Sequence, residues 1–184
     1  MSASFRELLK KVGTGPHTGK DLTRAEAATA TRLMLQQEAT PAQIGAFMIA
    51  HRIKRPTAEE LAGMLDAYDQ MGGQIPALTT DQQYPVTVFG VPYDARSRTA
   101  PVFLITLLLL ASVGVPVISH GGNCMPTKYG IPFVKIWEAL GVNYRSLSLA
   151  GSQQLLTKTG IGFYYLPQHF PQAHNLIPYR EEIG

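Results

Sequence analysis

The sequence predicts an α/β protein, an N-terminal helical bundle followed by part of an α/β domain with a mainly parallel sheet. Through about the first seventy positions, apolar residues recur at helical spacing between capping signals. Beyond about residue 85, short β-branched runs alternate with helical stretches, the pattern of parallel strands joined by crossover helices. Residues 74–85 read as a linker, which leaves a helical part over 1–73 and an α/β part over 86–184.

In the helical part each start and stop is signalled. Phe5, Leu8, Leu9 and Val12 fall at i, i+3, i+4 and i+7, an apolar stripe that ends at Gly13-Thr14-Gly15-Pro16. Thr23-Arg24-Ala25-Glu26 is a capping box, because the threonine oxygen accepts from the backbone three residues on while the glutamate reaches back. Thr40-Pro41 supplies another cap with proline at the first helical position, and Thr57-Ala58-Glu59-Glu60 repeats the box. The stripe that follows is Leu61, Met64, Leu65, Tyr68 and Met71, and Gly72-Gly73 ends the helix. Four short helices with matching stripes predict a small bundle.

In the α/β part, strands are predicted at 86–89, 115–119 and 162–166, with a further short one near 142–144. Helices are predicted at 101–112, 131–140 and 148–157. The longest apolar run, VFLITLLLLA at 102–111, is too short to span a bilayer and is followed by Gly114 and Pro116. It reads as a buried helix.

Composition narrows the classes further. Apolar residues make up 45% and charged ones 16% of 184, without low-complexity tracts or solenoid repeats, which excludes disorder and fibres. Arg6, Lys10 and Lys11 have no apolar signal core beside them and Cys124 is the only cysteine, so the expected compartment is the cytoplasm. A net charge of +3 and a pI near 9.0 suit a polyanionic partner, either a sugar phosphate or nucleic acid, without choosing between them.

In an open parallel sheet, ligands bind beyond the carboxyl ends of the strands, so the loops 90–98, 120–130 and 167–175 are expected to face one crevice. The stretch VFGVPYDARSRT, 88–99, resembles a phosphate cradle, yet Pro92 and Tyr93 stand where small residues belong. In SHGGNCMPTKYG, 119–130, Gly121 and Gly122 let backbone approach a ligand, Asn123 and Thr127 can donate to oxygens, and Lys128 adds a point charge suited to phosphate. The same residues also fit a tight strand exit that satisfies its own backbone, and the sequence leaves both readings open. His120 serves equally as a proton shuttle, a donor to an aromatic substrate or a structural imidazole. His51, His120, His169 and His174 lack zinc spacing, Asp94 is the only acid near the first loop, and no nucleophile elbow is present. Arg52, Lys54 and Arg55, with Arg96 and Arg98, support a competing reading as a basic groove for nucleic acid.

Four stretches carry a resemblance, in the same order as in one family. TPAQIGAFMIAHRIKRPTAEELAGMLDAY resembles the N-terminal helical domain of the anthranilate phosphoribosyltransferase family, which pyrimidine-type nucleoside phosphorylases share. GVPVISHGGN, EALGVN and GIGFYYLPQHFPQAHNLIPYREEIG resemble the succeeding segments of its catalytic domain. The resemblance implies transfer of a phosphoribosyl group from phosphoribosyl pyrophosphate (PRPP) to an aromatic amine such as anthranilate, with Mg2+ on the diphosphate, as in tryptophan biosynthesis. It also implies a homodimer formed through the helical domain.

Residue by residue, the family's Gly-Thr-Gly-Gly-Asp falls on Gly90, Val91, Pro92, Tyr93 and Asp94, so only the first glycine and the acid remain. Lys-His-Gly falls on Ser119, His120 and Gly121; Asn123 takes the place of the following asparagine after a one-residue shift; Arg180 matches the arginine that meets the substrate carboxylate. His120, Asn123 and Arg180 are therefore expected to hold the acceptor, and Gly90 and Asp94 to lie nearest the donor phosphates together with Arg96, Arg98 and Lys128, whose charge replaces lost amide donors. The resemblance assigns no catalytic residue within the chain and places the magnesium ligands beyond it. The expectation is a fragment of a longer, divergent member, enzymatic only at full length.

Overall fold

The computed structural model describes residues 3–15, 17–78, 83–90, 100, 102–123 and 130–183. It resolves into two compact units, Met1–Gly72 with Asn175–Gly184, and Gly73–His174.

The first unit is a helical bundle of α1 (Ala3–Gly13), α2 (Arg24–Leu35), α3 (Pro41–Lys54) and α4 (Ala58–Met71), joined by α10 (Ile177–Ile183). Its caps act as the sequence indicates. Thr23 accepts from the Glu26 N–H at 3.2 Å while its own N–H donates to Glu26 Oε2 at 2.7 Å, and Thr57 and Glu60 form the same pair. At Thr40 the box is also complete, because Gln43 accepts from the Thr40 N–H at 3.0 Å. Each such cap contributes about 1 kcal/mol by satisfying N–H groups that the first helical turn leaves unpaired.

The α4 face is a correction. Leu61 and Leu65, expected in the core, are 47% and 69% exposed, and the buried positions are Glu60, Gly63 and Ala67. The reason is close packing of α4 on α2. At Gly63 an added Cβ would stand 2.1 Å from the Arg24 carbonyl oxygen and 3.0 Å from the Ala27 methyl, so the helices meet backbone to backbone along their small residues. An apolar stripe cannot follow the axis of nearest approach there.

Glu60 lies fully buried beside that contact. Its carboxylate accepts from the Leu22 N–H at 2.8 Å, the Thr57 N–H at 2.7 Å and Lys54 Nζ at 2.8 Å, and Lys54 also bonds Asp21 at 2.6 Å. His51 Nε2 is 3.7 Å away, its ring stacked on Phe47. Burial alone would raise the Glu60 pKa; Lys54 and the two backbone donors outweigh it and bring it down to about 2. Burial holds His51 below its ordinary value.

Helix α10 packs on α3, and Tyr179 Oη donates to Gln37 Oε1 at 2.6 Å. The sequence pattern groups this last segment with the α/β part. The chain instead returns to the helical unit at Asn175.

The second unit holds a parallel sheet in the order β1 (Thr87–Phe89), β2 (Val117–Gly121), β3 (Ile161–Tyr165). Helices α5 (Phe103–Ser112), α6 (Phe133–Ala139) and α7 (Leu149–Thr159) lie between the strands in sequence, and α8 (Leu166–His169) and α9 (Pro171–His174) follow β3. Leu104, Leu107, Val117, Val134, Trp137, Tyr144 and Phe163 form its core. The expected strand at 142–144 is not one. Tyr144 instead buries its ring edge-on against Trp137, 5.4 Å between centroids, and next to Phe163.

The apolar run in α5 is helical but half buried. Leu104 and Leu107 reach the core, whereas Ile105 and Leu109 are 57% and 63% exposed, since a helix beside a sheet buries one face only. Among the described residues no helix is long and apolar enough to cross a membrane. The start of the predicted linker also belongs to this unit: Tyr164 Oη donates to the Gly73 carbonyl at 2.7 Å and Gln153 Nε2 to that of Ala77 at 2.7 Å.

Two outcomes follow from the helical unit. Gly63→Ala forces a methyl group onto backbone and is expected to cost about 3 kcal/mol, read as a lower urea midpoint. Glu60 has a folded pKa below its unfolded one, so its contribution, on the order of 3 kcal/mol, is complete above about pH 4.5 and lost as the pH falls toward 2. Urea melts from pH 7 downward should show this decline, and Glu60→Gln should lack that part of it.

Candidate ligand site at the strand tips

Strand β2 is central, hydrogen-bonded on both sides, and successive side chains point to opposite faces. Ser119, opposite Phe89 and Phe163, is fully buried, and its Oγ has no hydrogen-bond partner in the structure. His120 therefore emerges on the other face and is exposed at the carboxyl end of the strand.

Gly90 follows β1 directly. A Cβ there would lie 3.4 Å from His120 Nε2, so the two predicted site residues are neighbours. The exit of β2 runs against the segment after β3: a Cβ on Gly122 would meet Pro167 Cδ at 3.6 Å and His174 Nδ1 at 3.9 Å. That His174 nitrogen is buried without a hydrogen-bond partner in the structure. His169 is committed, its Nε2 bonded to the Leu147 carbonyl at 2.8 Å.

Asn123, three residues after His120, is exposed but not loose. Its Oδ1 accepts from Arg145 Nη1 and from Tyr165 Oη, the latter at 2.9 Å. Arg145 Nη1 donates to Tyr165 Oη at 2.6 Å as well, Arg145 Nε donates to Glu138 Oε1, and the Arg145 N–H bonds Asn143 Oδ1 at 3.0 Å. The guanidinium carbon sits 5.3 Å from the Tyr165 ring centroid. Glu138 raises the pKa of Arg145 above its ordinary value, partly opposed by burial.

The structure thus brings Gly90 to His120 and anchors Asn123, three residues further along the β2 exit, on Arg145 and Tyr165. Arg180 is exposed on α10 and belongs to the helical unit. Asp94, Arg96, Arg98 and Lys128, with Pro92, Tyr93 and Thr127, lie outside the described residues. Sequence reasoning missed Arg145, Tyr165, Glu138 and the placement of His174. Arg145 acts across twenty or more residues on Asn123 and Tyr165, and its local bond is from its N–H to Asn143, two positions before it.

An apolar hollow of about 590 Å3, lined by Ile75, Leu78, Tyr84, Val86, Ile118 and Leu156 among others, lies in the second unit and includes none of these tip residues. Among the described residues no charged group lines it. Among them, too, no group of three or more His, Cys, Asp or Glu side chains could hold a metal ion. The described tips offer an imidazole and an amide, and Glu138 is committed to Arg145, so they do not fit Mg2+, which takes carboxylate and phosphate oxygens.

Residues 6–72 match the glycosyl transferase family, helical bundle domain, which gives the class of the helical unit. The chain belongs to the anthranilate phosphoribosyltransferase family. It is 34% identical over 180 residues to the anthranilate phosphoribosyltransferase of Xanthobacter autotrophicus, covering 98% of this chain and 49% of that protein. With the enzyme of Azorhizobium caulinodans the identity is 33% over 181 residues, at the same coverage. The chain spans about half the length of the curated relatives it matches. Among solved structures, anthranilate phosphoribosyltransferase from Thermus thermophilus matches with TM-score 0.76 at 17% identity, covering 100% of this chain and 51% of that one. The Saccharomyces cerevisiae enzyme in complex with PRPP and Mg matches with TM-score 0.76 at 16% identity, covering 100% and 52%. At these identities the two structures establish the fold.

Proposed function

We propose that the chain carries the acceptor-binding part of a phosphoribosyltransferase that moves the phosphoribosyl group of PRPP to an aromatic amine such as anthranilate. The observation that carries this reading is the β2 exit, where exposed His120, a glycine pair and an anchored Asn123 stand at a strand tip beside Gly90. The amine nitrogen attacks the anomeric carbon, the new C–N bond replaces the C–O bond to pyrophosphate, and the amine gives up a proton. No covalent intermediate with the protein is needed; catalysis is positioning and charge stabilisation.

In this proposal His120 and Asn123 hold the acceptor and Arg180 takes its carboxylate, as the family motif implies. Gly90, Asp94, Arg96, Arg98 and Lys128 are the residues proposed for the donor phosphates. Pro92 removes an N–H and Tyr93 adds bulk at the motif's close-approach positions, which supports a divergent branch of the family. Mg2+ accompanies PRPP in the yeast relative and enters here only as a partner of the donor. Cytoplasmic tryptophan biosynthesis is the proposed setting.

The nucleic-acid reading gains no support. The relatives above are phosphoribosyltransferases, and Lys54 is spent on Asp21 and Glu60 inside the helical unit. Association through that unit is part of the proposal, because Ile53, Leu61 and Leu65 leave apolar surface exposed on it.

Anthranilate fluorescence titrated with the chain reports binding without turnover. Saturable binding, weakened roughly tenfold by His120→Ala, is expected; no saturable change with the wild-type chain overturns the acceptor site. Sedimentation at several concentrations should show a dimer that Leu65→Glu dissociates, and a monomer throughout would remove the dimer.

A further inference from the structure

The side chain of Asn123 has two chemically different ends, and the structure decides which one meets a ligand. A guanidinium offers donors only, so the Asn123 atom facing Arg145 Nη1 must be the carbonyl Oδ1. Tyr165 closes a triangle: it accepts from Arg145 at 2.6 Å and donates to the same Oδ1 at 2.9 Å. Arg145 cannot swing away readily, because Glu138 holds Nε, Asn143 holds its backbone N–H, and the Tyr165 ring lies under the guanidinium. Both donors into Oδ1 come from within the second unit. The Nδ2 amide hydrogens, on the other branch of an exposed side chain, remain for a ligand.

We infer that Arg145 is a positioning residue that fixes Asn123 as a donor at the β2 exit, so that this tip selects an oxygen-bearing group of the acceptor, its carboxylate, and not its amine. The inference rests on the acceptor reading above and deepens it. An asparagine free to flip would accept from an amine as well as donate to a carboxylate; one whose oxygen is already doubly occupied discriminates between them. Asn123 thereby contributes to acceptor choice through a residue 22 positions away in the sequence.

The test uses the 15N-labelled chain, with the Asn123 side-chain amide signals identified by their loss in Asn123→Asp. Three probes separate the groups: anthranilate, benzoate (carboxylate without amine) and aniline (amine without carboxylate). Anthranilate and benzoate are expected to shift the Asn123 amide signals, and aniline is not. Arg145→Lys keeps a positive charge but loses the planar fork; it should weaken benzoate roughly tenfold, leave aniline unchanged and speed exchange of the Asn123 amide hydrogens with water. Asn123→Asp keeps both acceptor contacts to Arg145 and Tyr165, so its melting temperature should not fall, yet benzoate binding should drop at least about tenfold through loss of the donors and carboxylate repulsion. Undiminished benzoate binding by either variant, or unchanged amide exchange in Arg145→Lys, overturns the inference. A wild-type chain blind to all three probes overturns the acceptor reading and the carboxylate selectivity together, whereas the amide exchange rates still decide the clamp on their own.

Discussion

The second unit depends on β2 being paired on both edges while its side chains alternate. Pairing with β1 and β3 fixes the register, and the register leaves no choice about faces: Val117 and Ser119 go into the core, while Ile118 and His120 go to the opposite side. A slip by one residue would bury an imidazole and expose Val117. Because the strands are parallel and β1 and β3 end beside the β2 exit, Gly90 and the Tyr165–Pro167 turn arrive at the same level. The tip cluster is thus a consequence of strand pairing, and the ligand chemistry is added by the few residues that follow each strand.

The helical unit obeys a different constraint. Two helices can approach to backbone contact only where side chains are missing, and Gly63 on α4 with Ala27 on α2 supplies that absence. Glu60 lies one turn before the contact and would be costly without partners. Lys54, the Leu22 N–H and the Thr57 N–H compensate it, and the same carboxylate closes the α4 capping box. One buried acid therefore ties together the α4 start, the end of α3 and the chain entering α2, and the apolar stripe on the far side of α4 is left exposed.

Legibility in the sequence followed the range of the interactions. The capping boxes at Thr23 and Thr57 and the positions of β1, β2 and β3 were readable to within about two residues, because caps, β-branched runs and turn residues act locally. The orientation of α4 was not, since it is decided by a glycine whose meaning appears only once α2 lies against it. Tyr144 reads as strand because aromatic and β-branched neighbours favour one, yet ring packing on Trp137 and Phe163 decides otherwise. At the site, Gly90, His120 and Asn123 were visible as strand-exit residues. Arg145 was not, because nothing in VNYRS marks a contact made across a folded loop with residues 123 and 165.

At the proposed site the donor motif departs from the family while the acceptor motif keeps His120, Gly121 and Asn123, and physical cost explains how the two coexist. A diphosphate needs several backbone donors at close range, and Pro92 and Tyr93 make that approach harder at the donor motif. A carboxylate needs few donors, provided they are already oriented, because an amide that must first choose its rotamer surrenders part of the binding energy in doing so. Arg145, Tyr165 and Glu138 settle that choice before any ligand arrives. The glycines at 121 and 122 leave the loop intrinsically free, so a clamp on Asn123 is most useful where the backbone alone cannot hold it. In the proposed site, selectivity at this tip resides in a side chain held by its neighbours, which does not depend on the glycine-rich donor motif.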